Sequence, residues 1–290
     1  MNPRIFFFHS QNIRSPYYNL AVEEAISLQL NQFGITAGIR VWRNPSTLVL
    51  GLSENPNQTI KEDVIQRFLD WRSKISNLPK HMIPNLTYIA RRASGGGTVF
   101  QNQKGNINYS IYVNLNQRPE LYAVKESYQI LLSLVTTALA KQNIFASMEG
   151  KSDIVLQTES KLKKISGNAQ FRKKNCIVQH GTLILKEELI EDVMDLMPHP
   201  PEEPEYRKRR SHKDFLTALP ERFDEEAFGK ELFFALHTYL EGAESKWKDE
   251  FSFFHPGFSS FRKQVLRESE IIRKKKYESL TYLLNREIST

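Results

Sequence analysis

The segment from Arg91 to Phe100 constrains this chain most, because two arginines, an alanine and a serine precede three consecutive glycines. Apolar, strand-like residues flank it on both sides, which predicts a turn between two strands. Glycines allow positive φ and a close approach of a ligand to the main chain. Successive exposed N–H groups form an anion-binding concavity, and a guanidinium adds bidentate contacts. We therefore interpret the segment as an anion-binding loop rather than a flexible hairpin, although it lacks the common phosphate-loop patterns.

Three motifs together resemble a known family. The loop resembles the R-R-x-S-G-G-G-x-V-F signature of the lipoate-protein ligase branch of the biotin/lipoate ligase superfamily. Lys164–Gln170 is similar to the lysine motif of that family, and Gln179–Leu185 is similar to the strand that follows it. The motifs occur in the order of the family, and the resemblance extends from about Ser15 to about Gly242.

The composition limits the protein class. The chain has 290 residues, of which 40% are hydrophobic, enough for one large core with or without a small second domain. Its single cysteine, Cys176, excludes an internal disulfide and a cysteine-based zinc site. The net charge of +7 favours an anionic partner. The sequence contains no nucleic-acid-binding motif that would favour nucleic acid as this partner. Apolar runs are too short for a membrane span or signal peptide, so we expect a cytoplasmic protein without membrane attachment.

The pattern of elements predicts an α+β fold with a mainly antiparallel sheet flanked by helices. The resemblance implies a biotin/lipoate ligase-like, class II synthetase-like catalytic domain over residues 1–242. Residues 243–290 are then a C-terminal linker and helix, with no full accessory domain. Residues 39–51 are predicted to form a hairpin, 107–113 a half-buried strand and 73–85 a surface insertion. The predicted helices are 16–33, 55–72, 119–142, 187–197, 206–219, 224–239 and 258–286.

The candidate site residues fit the chemistry of carboxylate activation. An acyl-adenylate site needs cations and main-chain donors around the phosphate, and an apolar slot for the acyl chain. Arg92 and Gly95–Gly97 suit the phosphate, Lys164 suits the oxygens on which charge grows, and the strand 107–113 suits the slot. Two strands joined by a polar loop are also predicted to bring Asp153 near Lys164.

The resemblance implies a role for each motif residue. Lys164 would be catalytic and would contact both ATP and lipoate, and Asp153 would hold Mg²⁺ or orient Lys164. The other predicted ATP or adenylate contacts are Arg92, Gly95, Gly96, Gly97, Thr98, Val99 and Phe100. The other predicted lipoate contacts are Ser94, His180 and Gly181. From the residues alone, His180 is interpreted as a structural strand histidine, and Glu23 and Glu24 as a solvated helix face.

The implied function is that of a lipoate-protein ligase, which joins lipoate or octanoate to a lysine of a lipoyl domain with ATP and Mg²⁺. The acceptors would be lipoyl domains of 2-oxoacid dehydrogenase or glycine cleavage proteins, and adenylation could require a separate accessory chain. An ATP-independent octanoyl or lipoyl transferase is the alternative, and a non-catalytic binding module is a third. Cys176, which lies downstream of Lys164, is predicted to be a buried core thiol, and this argues against a cysteine nucleophile.

Overall fold

A computed structural model describes residues 4–74, 86–158 and 161–288, and the predicted insertion at 73–85 lies almost wholly outside these ranges. The strands are β1 (Ile5–His9), β2 (Ala37–Trp42), β3 (Thr47–Leu50), β4 (Tyr88–Arg91), β5 (Val99–Gln101), β6 (Asn106–Asn114), β7 (Ala146–Glu149), β8 (Asp153–Thr158), β9 (Lys161–Lys173) and β10 (Cys176–Ile184). The α-helices are α1 (Pro16–Gln29), α2 (Pro56–Thr59), α3 (Glu62–Lys74), α4 (Val124–Ala140), α5 (Glu188–Leu196), α6 (His212–Phe215), α7 (Glu225–Glu241), α8 (Ser259–Ile272) and α9 (Leu280–Asn285). None of the helices in these ranges combines the length and the apolar character that a membrane crossing requires.

Two sheets organise the fold. Within the described residues, the larger has seven strands in the order β1-β2-β6-β10-β9-β8-β7, and the smaller has three in the order β4-β3-β5. Only the β1–β2 and β3–β4 pairs are parallel, and the other neighbours run antiparallel. The predicted α+β class with a mainly antiparallel sheet is therefore confirmed.

Helices cover both faces of the large sheet. One face packs against α4 and α7, and the opposite face packs against α1 and α8. Every residue of β6 is consequently buried, so the prediction of a half-buried strand is wrong. The alternation of polar and apolar residues did not indicate exposure of the polar face, because Ser110 on that face donates to buried Glu23 and not to water. The side chains predicted to line the acyl slot, Ile107, Tyr109, Ile111 and Val113, lie instead in the core beneath α4 and α7.

The predicted hairpin at 39–51 is also wrong, because β2 belongs to the large sheet and β3 to the small one. The turn between them is anchored by Asn44, which is fully buried. Its side chain accepts from Asn19 at 2.9 Å and donates to Gln101 at 2.8 Å. Those bonds fix the crossing of the chain from one sheet to the other.

Four predicted helices are interrupted. The segment 119–142 divides at Ala123, which is extended, into a 3₁₀ turn at Pro119–Tyr122 and α4. Within 206–219 only α6 and a 3₁₀ turn at Glu205–Arg207 are helical, because Lys208 and Arg209 take left-handed conformations. The segment 258–286 contains α8, a π-helical stretch at Arg273–Tyr277 and α9. The segment 55–72 divides into α2 and α3 at Ile60, which is extended.

Glu24 of α1 is buried, and this contradicts the predicted solvated face. Its carboxylate accepts from Lys276 Nζ at 2.6 Å and from the Tyr277 hydroxyl at 2.5 Å. Both partners lie on the π-helical stretch that follows α8. This buried ion pair joins the C-terminal segment to the first helix of the protein.

Replacing Glu24 tests that connection. Glu24→Ala leaves the Lys276 ammonium buried without its counter-ion, and this should lower the free energy of unfolding by about 3–5 kcal/mol. Urea denaturation at neutral pH provides the measurement. Glu226→Ala, which removes one partner of the exposed Lys230–Glu226 pair, should leave that free energy nearly unchanged. Equal stabilities of the two variants would show that the buried pair does not hold the segment.

Candidate functional site

The glycine loop connects β4 to β5 and is held from within by Arg92. The Arg92 guanidinium donates to the carbonyl of Val49 at 3.1 Å and to those of Gly95 and Gly97 at 2.7 and 2.9 Å. Its Nε also donates to Ser94 Oγ at 2.9 Å. Burial lowers the pKa of Arg92 to about 10, so the group remains charged at neutral pH. Arg92, predicted to bind phosphate, therefore lies inside the loop and fixes its shape.

The outer surface of the loop is bare main chain. A Cβ added at Gly95 or Gly97 would meet no protein atom within 4 Å, whereas one at Gly51 would lie 1.8 Å from the Gly96 carbonyl oxygen. Gly96 itself has a φ of +85°, which disfavours any side chain there. The loop thus presses against Gly51 on one side and leaves the main chain at Gly95 and Gly97 open on the other.

The remaining loop residues differ in exposure. The side chain of Thr98 is held in place by a hydrogen bond, since its hydroxyl donates to the Glu54 carboxylate at 3.1 Å or to the Thr59 hydroxyl at 2.9 Å. Phe100 is 5% exposed and belongs to the core of the small sheet. Val99 is partly exposed at the start of β5. A ligand at the loop could therefore contact the main chain of Thr98, Val99 and Phe100. The side chain of Val99 is the one side chain of these three that is well placed for such a contact.

A buried relay connects the loop to the large sheet. Ser94 Oγ lies 2.7 Å from His180 Nε2, and His180 Nδ1 lies 2.9 Å from Glu23 Oε2. Ser110 donates to the other oxygen of Glu23 at 2.5 Å. Glu23 is 1% exposed, so its predicted position on a solvated face is wrong. The burial of Glu23 could not be predicted from the sequence of α1. The large sheet covers this helix on one side and α8 covers it on the other, so a polar face does not indicate exposure to solvent.

Burial raises the pKa of the Glu23 carboxyl, but the charge and hydrogen bond of His180 and the Ser110 hydroxyl outweigh it. The net result is a pKa below the ordinary value. The carboxylate form of Glu23 is therefore stabilised by the fold.

Lys164 and Asp153 lie together, as the sequence predicted. Lys164 Nζ is 2.8 Å from Asp153 Oδ1, and the Lys164 side chain is 22% exposed. The second carboxylate oxygen accepts from the Tyr206 hydroxyl at 2.7 Å. The Lys164 ammonium also lies 6.0 Å from the centre of the Phe215 ring.

Tyr206 and Phe215 were not singled out from the sequence. They follow a proline-rich loop, and no local pattern relates that loop to Lys164. Burial and the charge of Asp153 raise the pKa of Tyr206 far above its ordinary value, so the hydroxyl remains a donor.

Strand β9 brings the two halves of the site together. A Cβ at Gly167 would lie 3.0 Å from Lys164 Nζ, and one at Gly96 would lie 3.9 Å from the Cβ of Ala169. Gly167 and Ala169 are two residues apart, so they share a face of the strand at a spacing of about 7 Å. The Lys164 ammonium and the glycine loop therefore approach the same strip of β9.

His180 and Gly181 face opposite sides of the sheet. His180 pairs with Ala169, on the face that carries the loop. Gly181 pairs with Asn168, and a Cβ at Gly181 would lie 1.9 Å from Asn168 Oδ1 and 2.6 Å from the Tyr109 hydroxyl. Tight packing therefore explains the glycine, and the structure does not bring Gly181 together with the other predicted lipoate contacts.

Asp153 does not fit a preformed magnesium site. Both of its oxygens are already engaged, by Lys164 and Tyr206. Within residues 4–74, 86–158 and 161–288, no group of three or more histidine, cysteine, aspartate or glutamate side chains is arranged to hold a metal ion. Mg²⁺ in proteins is commonly held by one or two carboxylates together with phosphates of the substrate. The geometry instead supports the orienting role for Asp153.

Sequence comparison gives a family match over most of the chain. Residues 15–232 match a family model described as the lipoyl protein ligase A/B catalytic domain. A protein of Aeropyrum pernix, provisionally named lipoate-protein ligase A, is 26% identical over 171 residues, which make up 59% of this chain and 54% of that protein. The chain thus spans about half the length of this curated relative.

Solved structures share the fold. A chain of an archaeal lipoylation system from Thermoplasma acidophilum, a bi-partite lipoate protein ligase with its E2 lipoyl domain, has a TM-score of 0.68 at 15% identity, covering 100% of this chain and 99% of that one. A lipoate-protein ligase A bound with ATP gives 0.62 at 16% identity, covering 98% and 99%. A Thermoplasma acidophilum protein with bound lipoic acid gives 0.63 at 16% identity, covering 98% and 100%. These likenesses concern the fold alone, and they confirm the predicted fold class.

Two alanine substitutions test the loop geometry. Gly51→Ala forces a methyl group against the Gly96 carbonyl, and this should cost about 1–3 kcal/mol of stability. Gly97→Ala places the same methyl group in open space and should not reduce stability. Thermal unfolding of both variants provides the measurement. A loss of stability in Gly97→Ala as large as that in Gly51→Ala would contradict the open loop surface.

The relay predicts a specific pH dependence. Since the pKa of Glu23 is lowered in the folded state, its contribution is fully present above the ordinary value of 4.5 and is lost as the pH falls below it. Glu23→Gln should therefore be less stable at neutral pH and should lose less stability than the parent protein between about pH 5 and pH 3. Chemical denaturation across that range measures both effects. Identical pH profiles for parent and variant would contradict the assignment, and Glu62→Gln, at an exposed position, serves as the control.

Proposed function

Because the chain belongs to the lipoyl protein ligase A/B catalytic-domain family, we propose that it activates lipoate or octanoate with ATP and transfers the acyl group to a lysine of a lipoyl domain. The family match covers residues 15–232. Related folds that contain ATP or lipoic acid support the choice of substrates. We also propose that the catalytic domain spans residues 1–242. The cytoplasmic location of the protein stays a prediction.

One observation carries the proposal: the Lys164 ammonium and the open main chain of the glycine loop approach the same strip of β9. A carboxylate and an amine do not condense in water at neutral pH, because both are ionised. Activation requires the carboxylate oxygen to attack the α-phosphorus of ATP, with pyrophosphate leaving. Lys164 and the amides of Gly95–Gly97 can stabilise the negative charge that grows on the reacting oxygens.

The second step consumes the adenylate. The neutral amine of the acceptor lysine attacks the acyl carbonyl, an amide bond forms, AMP leaves with the electrons of the broken acyl–oxygen bond, and the amine proton passes to solvent. The Asp153 carboxylate, itself held by Tyr206, positions the Lys164 ammonium for both steps. Mg²⁺ would enter with the phosphates of ATP.

The C-terminal segment bears on whether a separate accessory chain is needed. The Arg91 guanidinium, next to the loop, donates to the carbonyls of Leu283 at 2.9 Å and Leu284 at 3.3 Å. It also donates to the main-chain carbonyls of Gly51 and Glu54, on the other side of the loop. Leu283 and Leu284, in the segment 243–290 that we propose to be a linker and helix, thus support the loop through Arg91. A separate accessory chain remains a proposal, supported by the bi-partite relative.

A second candidate is the ATP-independent acyltransferase, which the Ser94–His180–Glu23 relay favours. Ser94 Oγ, deprotonated by His180, would attack an acyl thioester, release the thiol and form an acyl ester that the acceptor amine then cleaves. Cys176 cannot serve as the nucleophile, because it is fully buried and burial raises the pKa of its thiol. The open glycine surface beside Lys164 favours the ligase, since a thioester mechanism does not need it.

Lys164→Ala tests the ligase directly. Loss of the ammonium that stabilises the transition-state charge should lower the rate of lipoate-dependent ATP–pyrophosphate exchange about 100-fold or more. The fold should persist, because the side chain is partly exposed. The exchange rate and thermal unfolding of the purified variant give the two measurements.

Lys141→Ala is the matched control, since this lysine is exposed and lies at the C-terminal end of α4. It should retain parental exchange. Parental exchange in Lys164→Ala would remove Lys164 from the mechanism. Acylation of a lipoyl domain from an acyl thioester without ATP, abolished by Ser94→Ala, would select the second candidate.

A further inference from the structure

A group of exposed cations borders the Lys164 site and has no role in the chemistry above. We call it the basic surface, and it consists of Lys161, Lys163, Lys208, Arg209 and Lys213. All but Lys163 are exposed, and Lys163 is partly exposed. Among the described residues, none of these side chains has an ion-pair partner within 4.0 Å. Such a concentration of unpaired charge is available to a partner of opposite sign.

Three of the cations, Lys161, Lys163 and Lys213, lie around Asp214. The Ser211 hydroxyl, and then Lys161, Lys163 and Lys213, hold the pKa of that carboxyl below its ordinary value. Arg210, which follows Lys208 and Arg209 in the chain, donates to the carbonyl of Leu162 in β9, between Lys161 and Lys163, at 2.8 Å. Two separate stretches of the chain therefore contribute to one surface.

The loop is built so that neighbouring cations point in different directions. Lys208 and Arg209 have φ values of 52° and 58°, a left-handed conformation that is uncommon for residues with a side chain. Glu203 fixes this turn by accepting from the Arg209 amide at 2.6 Å. Arg207 and Arg210 are directed at the Phe215 ring, at 4.7 and 5.3 Å, while Lys208 and Arg209 remain exposed.

The basic surface is continuous with the reactive centre. The Phe215 ring that contacts Arg207 and Arg210 also lies 6.0 Å from Lys164 Nζ. The Thr217 amide donates to the Lys164 carbonyl at 3.0 Å, so the segment that follows α6 contacts β9 at Lys164. A molecule bound on the basic surface would lie beside the activated acyl group.

We propose that the basic surface is the docking site of an acidic protein domain that presents its acceptor lysine to the Lys164 site. This inference rests on the proposed function, because it assigns a surface to the acceptor of that reaction. A macromolecular partner is favoured because the cations are exposed and extend over two chain segments, whereas a nucleotide needs enclosed contacts. The phosphates of ATP already have candidate donors in the glycine loop.

Two double charge reversals test the proposal, Lys208→Glu with Arg209→Glu and Lys161→Glu with Lys163→Glu. The control, Lys263→Glu with Arg267→Glu, changes the net charge equally at exposed positions of α8. The readouts are the KM for an unmodified acidic lipoyl domain, its Kd from an NMR titration, and lipoate-dependent ATP–pyrophosphate exchange. Thermal unfolding confirms that each variant is folded.

Each surface variant should raise the KM and Kd for the lipoyl domain about 10-fold at low ionic strength, and the effect should shrink in about 0.5 M salt. Pyrophosphate exchange should not change in these variants, and the control should match the parent protein. Because the two variants lie on different chain segments, a folding defect in one leaves the other informative.

The proposal is overturned if both folded surface variants bind and use the lipoyl domain like the parent protein, or if the control is equally impaired. A raised KM for ATP in pyrophosphate exchange would assign the cations to the nucleotide instead. Preferential binding of a single-stranded RNA would assign them to nucleic acid. If the parent protein binds the domain through this surface but never acylates it, the docking proposal is supported and the proposed ligase function fails.

Discussion

A loop of three adjacent glycines has no side chains with which to hold its shape, and in this protein Arg92 supplies the missing contacts from inside. Its guanidinium bonds the carbonyls of Gly95 and Gly97 and reaches across to β3. The carbonyls therefore turn inward, and the opposite side of the loop is left as bare main chain. The rest of the site depends on this constraint, because a disordered loop would offer no fixed donors to a phosphate.

The position of Lys164 in the site depends on the register between β8 and β9. Asp153 and Lys164 lie on neighbouring antiparallel strands, with an irregularity in the pairing at Ile154 and Val155. The Lys164 ammonium consequently reaches Gly167, near the strip of β9 that the loop also approaches. Lys161 and Lys163 of the basic surface lie on the same strand. A single strand thus relates the proposed activation chemistry to the proposed acceptor docking.

The motifs were predictable from the sequence because their chemistry is local. Three glycines and two arginines are recognisable within one window of ten residues. The proximity of Asp153 and Lys164 followed from two strands joined by a polar loop. Contacts between distant segments were not predictable. Glu23 and Glu24 lie on a helix covered on both sides, and their partners, His180 and Lys276, are more than 150 residues away. The hairpin at 39–51 failed for the same reason, since Asn44 bonds Gln101 across the junction of the two sheets.

The central claim is that Lys164 and the glycine loop meet around one acyl-adenylate. A crystal structure with a non-hydrolysable lipoyl-adenylate analogue tests this most directly. The account predicts the Lys164 ammonium within about 3.2 Å of the acyl or bridging oxygen, and amides of Gly95–Gly97 within the same distance of the phosphate-equivalent oxygens. An analogue bound elsewhere, with Lys164 paired only to Asp153 and the loop amides facing solvent, would contradict it.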